Sequence, residues 1–360
     1  MKGNQMTDFK PNGLPLLIGS LPIDNHEEAV KLVLDHTPRI PLWVQLPVNR
    51  EEGMIDQFME GLPGFHDSNG KNVLDTSSAD FDQEMLAFFE AYLSHSESDF
   101  DLDTSCFAFQ GKRAKGFTEF LRQIDASETR FAALKGQVTG PVTFGTAVKD
   151  QDSKDIFYND QLRDVAIKKL ALNARWQARN YASRGLTPII FIDEPALAGF
   201  GTSAYITITK EDVTRSIEEI VLEIHAENGL AGVHVCANTQ WDMLLNSKID
   251  IISFDAFSYF DKFILYPKEI RSYLNQGKLL AVGIVPTSKA GVIAGQTVEG
   301  LCAMFNEQMD TLSKLTGIDR DRVLSQSFVT PSCGTGSLDE ASARRVLELT
   351  RDVSAQIRLH

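Results

Sequence analysis

Two short stretches carry residue types that hold a soft or borderline metal. Val233-His234-Val235-Cys236 sets an imidazole and a thiol at i and i+2, and Thr330-Pro331-Ser332-Cys333-Gly334 supplies a second thiol far downstream. On a β-strand, i and i+2 project to the same side, so His234 and Cys236 can grip one ion together. Structural zinc sites usually draw their ligands from compact local pairs, whereas a set gathered from separate strand ends has the character of a site that keeps one position open for chemistry. The spacing therefore predicts a reactive Zn2+ site built from His234, Cys236 and Cys333. Asp255, in Ser253-Phe254-Asp255, is the expected fourth ligand. Thiolate ligands donate charge and leave the metal a weaker Lewis acid, which keeps a bound substrate thiol nucleophilic. A hydrolase would favour His-rich ligation and a bound water.

Other polar groups fall where apolar runs end. Asp193-Glu194-Pro195 follows Ile189-Ile190-Phe191-Ile192, and carboxylates emerging from such a run are costly unless they bind something; one of them capping the following loop is the alternative. Gly19-Ser20 offers a hydroxyl and backbone N–H groups suited to an anionic substrate group. Thr139-Gly140-Pro141 fits a tight turn into a helix with Pro in its first turn. Cys106 and Cys302 read as packing residues.

Eight short apolar, β-prone stretches position these groups: residues 14–19, 40–46, 131–138, 188–193, 230–236, 249–255, 279–284 and 327–332. Their near-continuous hydrophobicity implies burial on both faces. Helical patterns separate most of them, at 161–184, 210–228, 267–276 and 298–316, and another follows at 338–357. This alternation predicts an α/β fold, a TIM (β/α)8 barrel, with a doubly wound open sheet as the alternative. In a barrel all strands end on one face, which would bring the candidate groups together. The connection 47–130 exceeds what a crossover needs, carries helical stretches at 82–94 and 118–124, and is expected to be a functional insertion after the second strand. Residues 1–13 lack apolar periodicity and are expected to be a flexible tail, leaving 14–360 as a single domain.

The chain has 360 residues, four of them Cys, and a net charge of -14. So few cysteines do not make a disulfide framework, and reduced thiols remain free as ligands, as in the cytoplasm. The acidic balance and the lack of basic runs exclude nucleic acid and anionic membrane surfaces as partners. No apolar run reaches membrane-spanning length and no signal segment is evident, so a cytoplasmic protein acting on a small molecule is expected.

The motifs Ile18-Gly19-Ser20, GQVTGPVT at 136–143, Ile192-Asp193-Glu194-Pro195-Ala196, His234-Val235-Cys236 and Cys333-Gly334 together resemble the catalytic domain of cobalamin-independent methionine synthase, in the superfamily that includes uroporphyrinogen decarboxylase. The resemblance implies a barrel whose zinc binds a substrate thiol through His234, Cys236, Cys333 and an acid. That acid is Glu in the family and Asp255 here. It further implies that Gly19 and Ser20 hold an amino-acid carboxylate and Asp193 its ammonium. A family Gly-Glu-Pro stretch carries a second ammonium-binding acid, where this chain reads Gln45-Leu46-Pro47; Gln45 is retained as a substrate-binding candidate with Glu194. The folate-using enzymes also have an additional amino-terminal half, for which 360 residues leave no room, and a His after the seventh strand, where this chain reads Gly283-Ile284-Val285-Pro286-Thr287-Ser288.

Methyl transfer from a folate amine needs an acid to protonate the leaving group, whereas cob(I)alamin departs without one. The expected reaction is therefore methylation of a small thiol, homocysteine or similar, held as a zinc thiolate. The methyl group would come from a corrinoid protein, because the chain has no Asp-x-His-x-x-Gly corrinoid segment. No side chain is assigned as a catalytic acid or base. Two other readings stay open: a metal-free decarboxylase, for which the expected arginine cluster is missing, and a non-catalytic zinc-holding or corrinoid-protein-binding module.

Overall fold

The computed structural model describes residues 9–66, 73–97 and 100–359. Its strands, in chain order, are β1 (Val73–Leu74), β2 (Ala133–Thr139), β3 (Lys149–Asp150), β4 (Thr187–Asp193), β5 (Leu230–Val235), β6 (Ile251–Phe254), β7 (Leu279–Val285) and β8 (Ser327–Pro331). β1 and β3 pair with each other. The other six form a curled, wholly parallel sheet in the order β2-β4-β5-β6-β7-β8, each strand beside its successor in the chain.

Alternation along each strand feeds two cores, as the two-residue period requires. In β4, Ile190 and Ile192 pack outward among the helices, while Ile189 and Phe191 pack inward with Ile251, Ala281 and Phe328. Burial on both faces explains why these strands read as unbroken apolar runs. Continuing the inward register of β4, β5 and β6 toward their carboxyl ends leads to Asp193, His234 and Asp255, so the candidate residues share one face and one end of the sheet.

The two expected amino-terminal strands are present as isolated parallel bridges. The Leu16 amide donates to Val329 O (3.0 Å), the Gln45 amide to Gly19 O (2.9 Å) and the Lys135 amide to Pro41 O (2.9 Å). These contacts tie the first segment to β8, the second to the first, and β2 to the second. Pro15 and Pro41 sit within these segments and have no N–H to donate, which prevents a continuous ladder there.

Helices expected from periodicity occur at Asp160–Ala182, Lys210–Ala226, Pro267–Asn275, Val298–Thr316 and Glu340–Ile357. The 47–130 connection contains helices Phe81–Ser94 and Lys115–Asp125 and several 3-10 turns, including Arg50–Glu52. The expected tail falls mostly on residues 1–8, outside the described residues. Its end is anchored, since the Gly13 amide donates to Ser327 O (2.9 Å) and Ser354 Oγ donates to Gly13 O (2.6 Å). Among the described residues, no helix is long and apolar enough to cross a membrane.

Candidate metal centre

His234 occupies an inward position near the end of β5, fully flanked by β4 and β6. Its Nδ1 lies 3.0 Å from Ser253 Oγ on β6, and its Nε2 is buried with no hydrogen-bond partner among the described residues. Burial, reinforced by the buried Lys135 cation, pushes the imidazole pKa down to about 3. The ring is therefore neutral at physiological pH. With Nδ1–H donating to Ser253, the free lone pair is on Nε2, the arrangement that metal-bound imidazoles use.

Cys236 follows β5 immediately and Cys333 lies just beyond β8, and the curl of the sheet brings both thiols to His234. One ligand atom from each of the three residues lies within 4.8 Å of the others. Cys333 donates a hydrogen bond that brings the Cys236 thiol down to about 7, while that same bond, and then burial, hold the Cys333 proton on more tightly. One imidazole nitrogen and two sulfurs fit zinc and leave a position for substrate. A buried nitrogen lacking a partner would be costly unless it ligates something.

Asp255 is placed differently. Its Oδ1 accepts from the Ser258 amide (2.8 Å), capping helix Ala256–Phe263, and burial raises its pKa. It borders Cys236 electrostatically but is not part of the compact trio.

The trio opens onto a cavity of about 280 Å3 that Asp193, Gly19, Ser20 and Gln45 also line. Asp193 is the register partner of His234, and its buried Oδ1 has no partner among the described residues. Burial raises this carboxyl to about 6, partly offset by Lys135. The Ser20 hydroxyl accepts from the Gly336 amide (3.2 Å) and its carbonyl from the Thr335 amide (3.0 Å), fastening the loop after β8 to the first segment. A Cβ on Gly334 would lie 2.5 Å from Ser20 Oγ, so a larger residue there would push the hydroxyl off its bond with the Gly336 amide. Gln45 spends its Nε2 on Gln57 Oε1 (2.7 Å), which binds one cavity wall to the long insertion.

Glu194, grouped with Asp193 in the sequence, does not line the cavity. Its Oε1 accepts from the Val142 amide and its Oε2 from the Thr143 amide, each at 2.9 Å, and the Thr143 hydroxyl also donates to Oε2 (2.7 Å). The side chain is the N-terminal cap of helix Pro141–Ala147, with burial raising its pKa to about 7. Successive residues on a strand point to opposite faces, so only one of the adjacent acids can enter the cavity.

Sequence reasoning passed over three residues. Lys135 is fully buried, with its ammonium 4.4 Å from the Phe191 ring centre and its pKa lowered to about 8 by burial. The alternation Lys135, Gln137, Thr139 within an apolar strand was the available signal. Ser253, in sequence only a small polar residue two before Asp255, is the partner of His234 Nδ1. Glu52 lines the cavity from the 3-10 turn Arg50–Glu52, and nothing in the local pattern of the insertion distinguished it from a surface acid.

Comparison with known proteins adds one match. Residues 111–356 fit the family model described as the catalytic domain of cobalamin-independent synthase. No curated protein matches the chain. The matched span includes Asp193, His234, Cys236, Asp255 and Cys333, and stops short of Gly19, Ser20, Gln45 and Glu52.

Proposed function

Because the chain belongs to the cobalamin-independent synthase catalytic-domain family, an enzyme class whose chemistry is thiol methylation, we propose that it is a zinc-dependent methyltransferase for a small amino-acid thiol. The observation that carries this reading is the convergence of two thiols and an unpartnered, neutral imidazole nitrogen in one small cavity beside a buried carboxylate. His234, Cys236 and Cys333 would hold the zinc, and Asp255, which lies outside the compact trio, would have to turn toward it to serve as a fourth ligand before substrate arrives. We further read the bridged amino-terminal segments as the two strands that complete an eight-stranded barrel. Its place of work is the cytoplasm, where the thiols stay reduced.

Zinc, when bound, supplies the positive charge that keeps a coordinated thiol ionised near neutral pH. The protein's own groups set the rest. Ser253 fixes the His234 tautomer, and the depressed pKa of Cys236 makes it the first thiol to ionise. Asp193 offers a carboxylate to the substrate ammonium, and Gly19 and Ser20 face the substrate carboxylate. The substrate sulfur then attacks the methyl carbon. A carbon–sulfur bond forms as the carbon–donor bond breaks, and its electron pair leaves with the donor.

The donor is where this chain is proposed to depart from its family, which typically uses methyltetrahydrofolate. Two features support a methyl-corrinoid carried by a separate protein. The segment after β7 contains no imidazole to protonate a folate amine; instead the Thr287 amide donates to Ser332 Oγ (3.1 Å). The cavity, at about 280 Å3, falls just below the roughly 300–1,000 Å3 range of ligand pockets, a size for an amino acid with its donor presented at the mouth. The test is methyl transfer to homocysteine by the zinc-loaded protein. Methylcobalamin should support turnover and methyltetrahydrofolate should not; the reverse preference would overturn the donor assignment, and transfer from neither would overturn the methyltransferase reading.

A further inference from the structure

Five ionisable side chains line the cavity: Glu52, Asp193, His234, Cys236 and Cys333. The proposed function occupies four of them, three with metal and Asp193 with the substrate ammonium. Glu52 is left over. Its side chain is only 1% exposed, yet it spans two spaces. On one side it borders the site cavity. On the other, its Oε1 lies 2.6 Å from His26 Nε2, and its Oε2 accepts from Asn49 Nδ2 (3.2 Å). His26 begins helix His26–His36 and lines a separate outer groove of about 560 Å3, shared with Asp24, Glu27, Lys115 and Glu119. A carboxylate and an imidazole thus form a short hydrogen-bonded bridge from the buried site to an open groove.

Thiol methylation has a proton to dispose of. The substrate arrives as RSH and leaves as a thioether, so each turnover releases one proton inside a cavity where the metal-bound groups cannot keep it. We infer that Glu52 and His26 form the route by which this proton leaves. The inference rests on the thiol-activating reading above. The S–H bond breaks with its electron pair staying on sulfur, and the proton passes to the Glu52 carboxylate. With the imidazole in its Nδ1–H tautomer, the proton crosses from Oε1 to the free Nε2 lone pair. The Nδ1 proton passes to water in the outer groove, and exchange of the ring protons with that water restores the Nδ1–H tautomer before the next turnover. The net products are thiolate and a solvated proton, with no oxidant or reductant required. Asn49 orients the carboxylate, and Asp24, Glu27, Lys115 and Glu119 line the groove into which the proton is released.

The test is stopped-flow proton release, read by a pH-indicator dye in weak buffer, when homocysteine is added to the zinc-loaded full-length protein. The wild type should release about one proton per chain at the rate of thiol binding. His26→Ala should keep its zinc and its homocysteine affinity but release the proton about 100-fold more slowly, the scale on which a positioned acid–base group acts. Imidazole in solution should restore the rate. Glu52→Gln should be equally slow and should not respond to imidazole. His26→Asn, which still donates to Glu52 but cannot relay a proton, should match His26→Ala and covers the case in which the smaller side chain destabilises the fold. Wild-type release rates in both His26 variants would overturn the relay, as would slow release that imidazole fails to restore. A Glu52→Gln variant that only weakens homocysteine affinity would make Glu52 a binding residue and also overturn it. If the wild type itself binds homocysteine without releasing a proton, the thiol-activating reading falls, a result distinct from loss of the relay alone.

Discussion

The two thiols of the candidate centre share one hydrogen bond, and that fact sets how the site should respond to pH. Cys236, ordinarily near 9.0, is brought down to about 7 by the proton that Cys333 offers, while Cys333 is pushed up. His234 is neutral well into the acid range and has no proton to give up. Zinc binding should therefore displace about two protons at pH 6, when both thiols are protonated, and about one at pH 8, when Cys236 is already ionised. Affinity should rise with pH throughout, more steeply below about 7 than above it. Calorimetry in two buffers of different ionisation enthalpy measures this directly, and proton release that stays constant from pH 6 to 8 would contradict the thiol assignment. At this scale the sequence was most legible for the metal trio, because His-x-Cys on a strand and a thiol at another strand's end constrain geometry by themselves. It was least legible for Glu52, whose place on the cavity wall is set by tertiary packing, and for Lys135, buried against Phe191. The Asp193-Glu194 pair was half legible: the apolar run announces buried acids, but only strand alternation decides which one faces the site.

Glu194 shows how an element can be held in place by a residue that resembles a functional one. Helix Pro141–Ala147 starts at Gly140, with its first amides aimed at the Glu194 carboxylate, a favourable match between a negative group and a helix N-terminus. Gly140 leaves the space for it, since a Cβ there would lie 2.1 Å from the Glu194 side chain. Gly140→Ala should therefore expel the carboxylate from its cap and cost roughly 2–4 kcal/mol, combining steric strain with lost buried hydrogen bonds. Urea denaturation of the metal-free protein checks this, and a cost below about 1 kcal/mol would mean that the cap is easily rearranged. Regular helices were readable from their 3.6-residue period to within a few residues at each end. The amino-terminal strands were harder, because hydrophobicity predicts burial in 14–19 and 40–46 while Pro15 and Pro41 reduce them to isolated bridges.

Across the whole molecule, the curled parallel sheet converts distant sequence positions into neighbours: β5 and β8 bring Cys236 and Cys333 to one point, and the 47–130 connection closes one side of the cavity through Gln45–Gln57 and Glu52. The α/β class and the strand order followed from alternating apolar runs and helices, since successive parallel strands joined by helices pack side by side. What the insertion does was not readable, because its contribution comes from tertiary contacts and not from a local period. The family match covers the portion that carries the candidate metal trio, while the first 110 residues, which include the Glu52 wall, lie outside it. His234, Cys236 and Cys333 are proposed to hold a zinc ion to which the substrate thiol binds. X-ray absorption at the zinc edge, recorded before and after homocysteine is added, tests it most directly. About one zinc per chain is expected, with a ligand shell that gains one sulfur, from two to three, at about 2.3 Å. A shell that keeps the same sulfur count when homocysteine is present would contradict it.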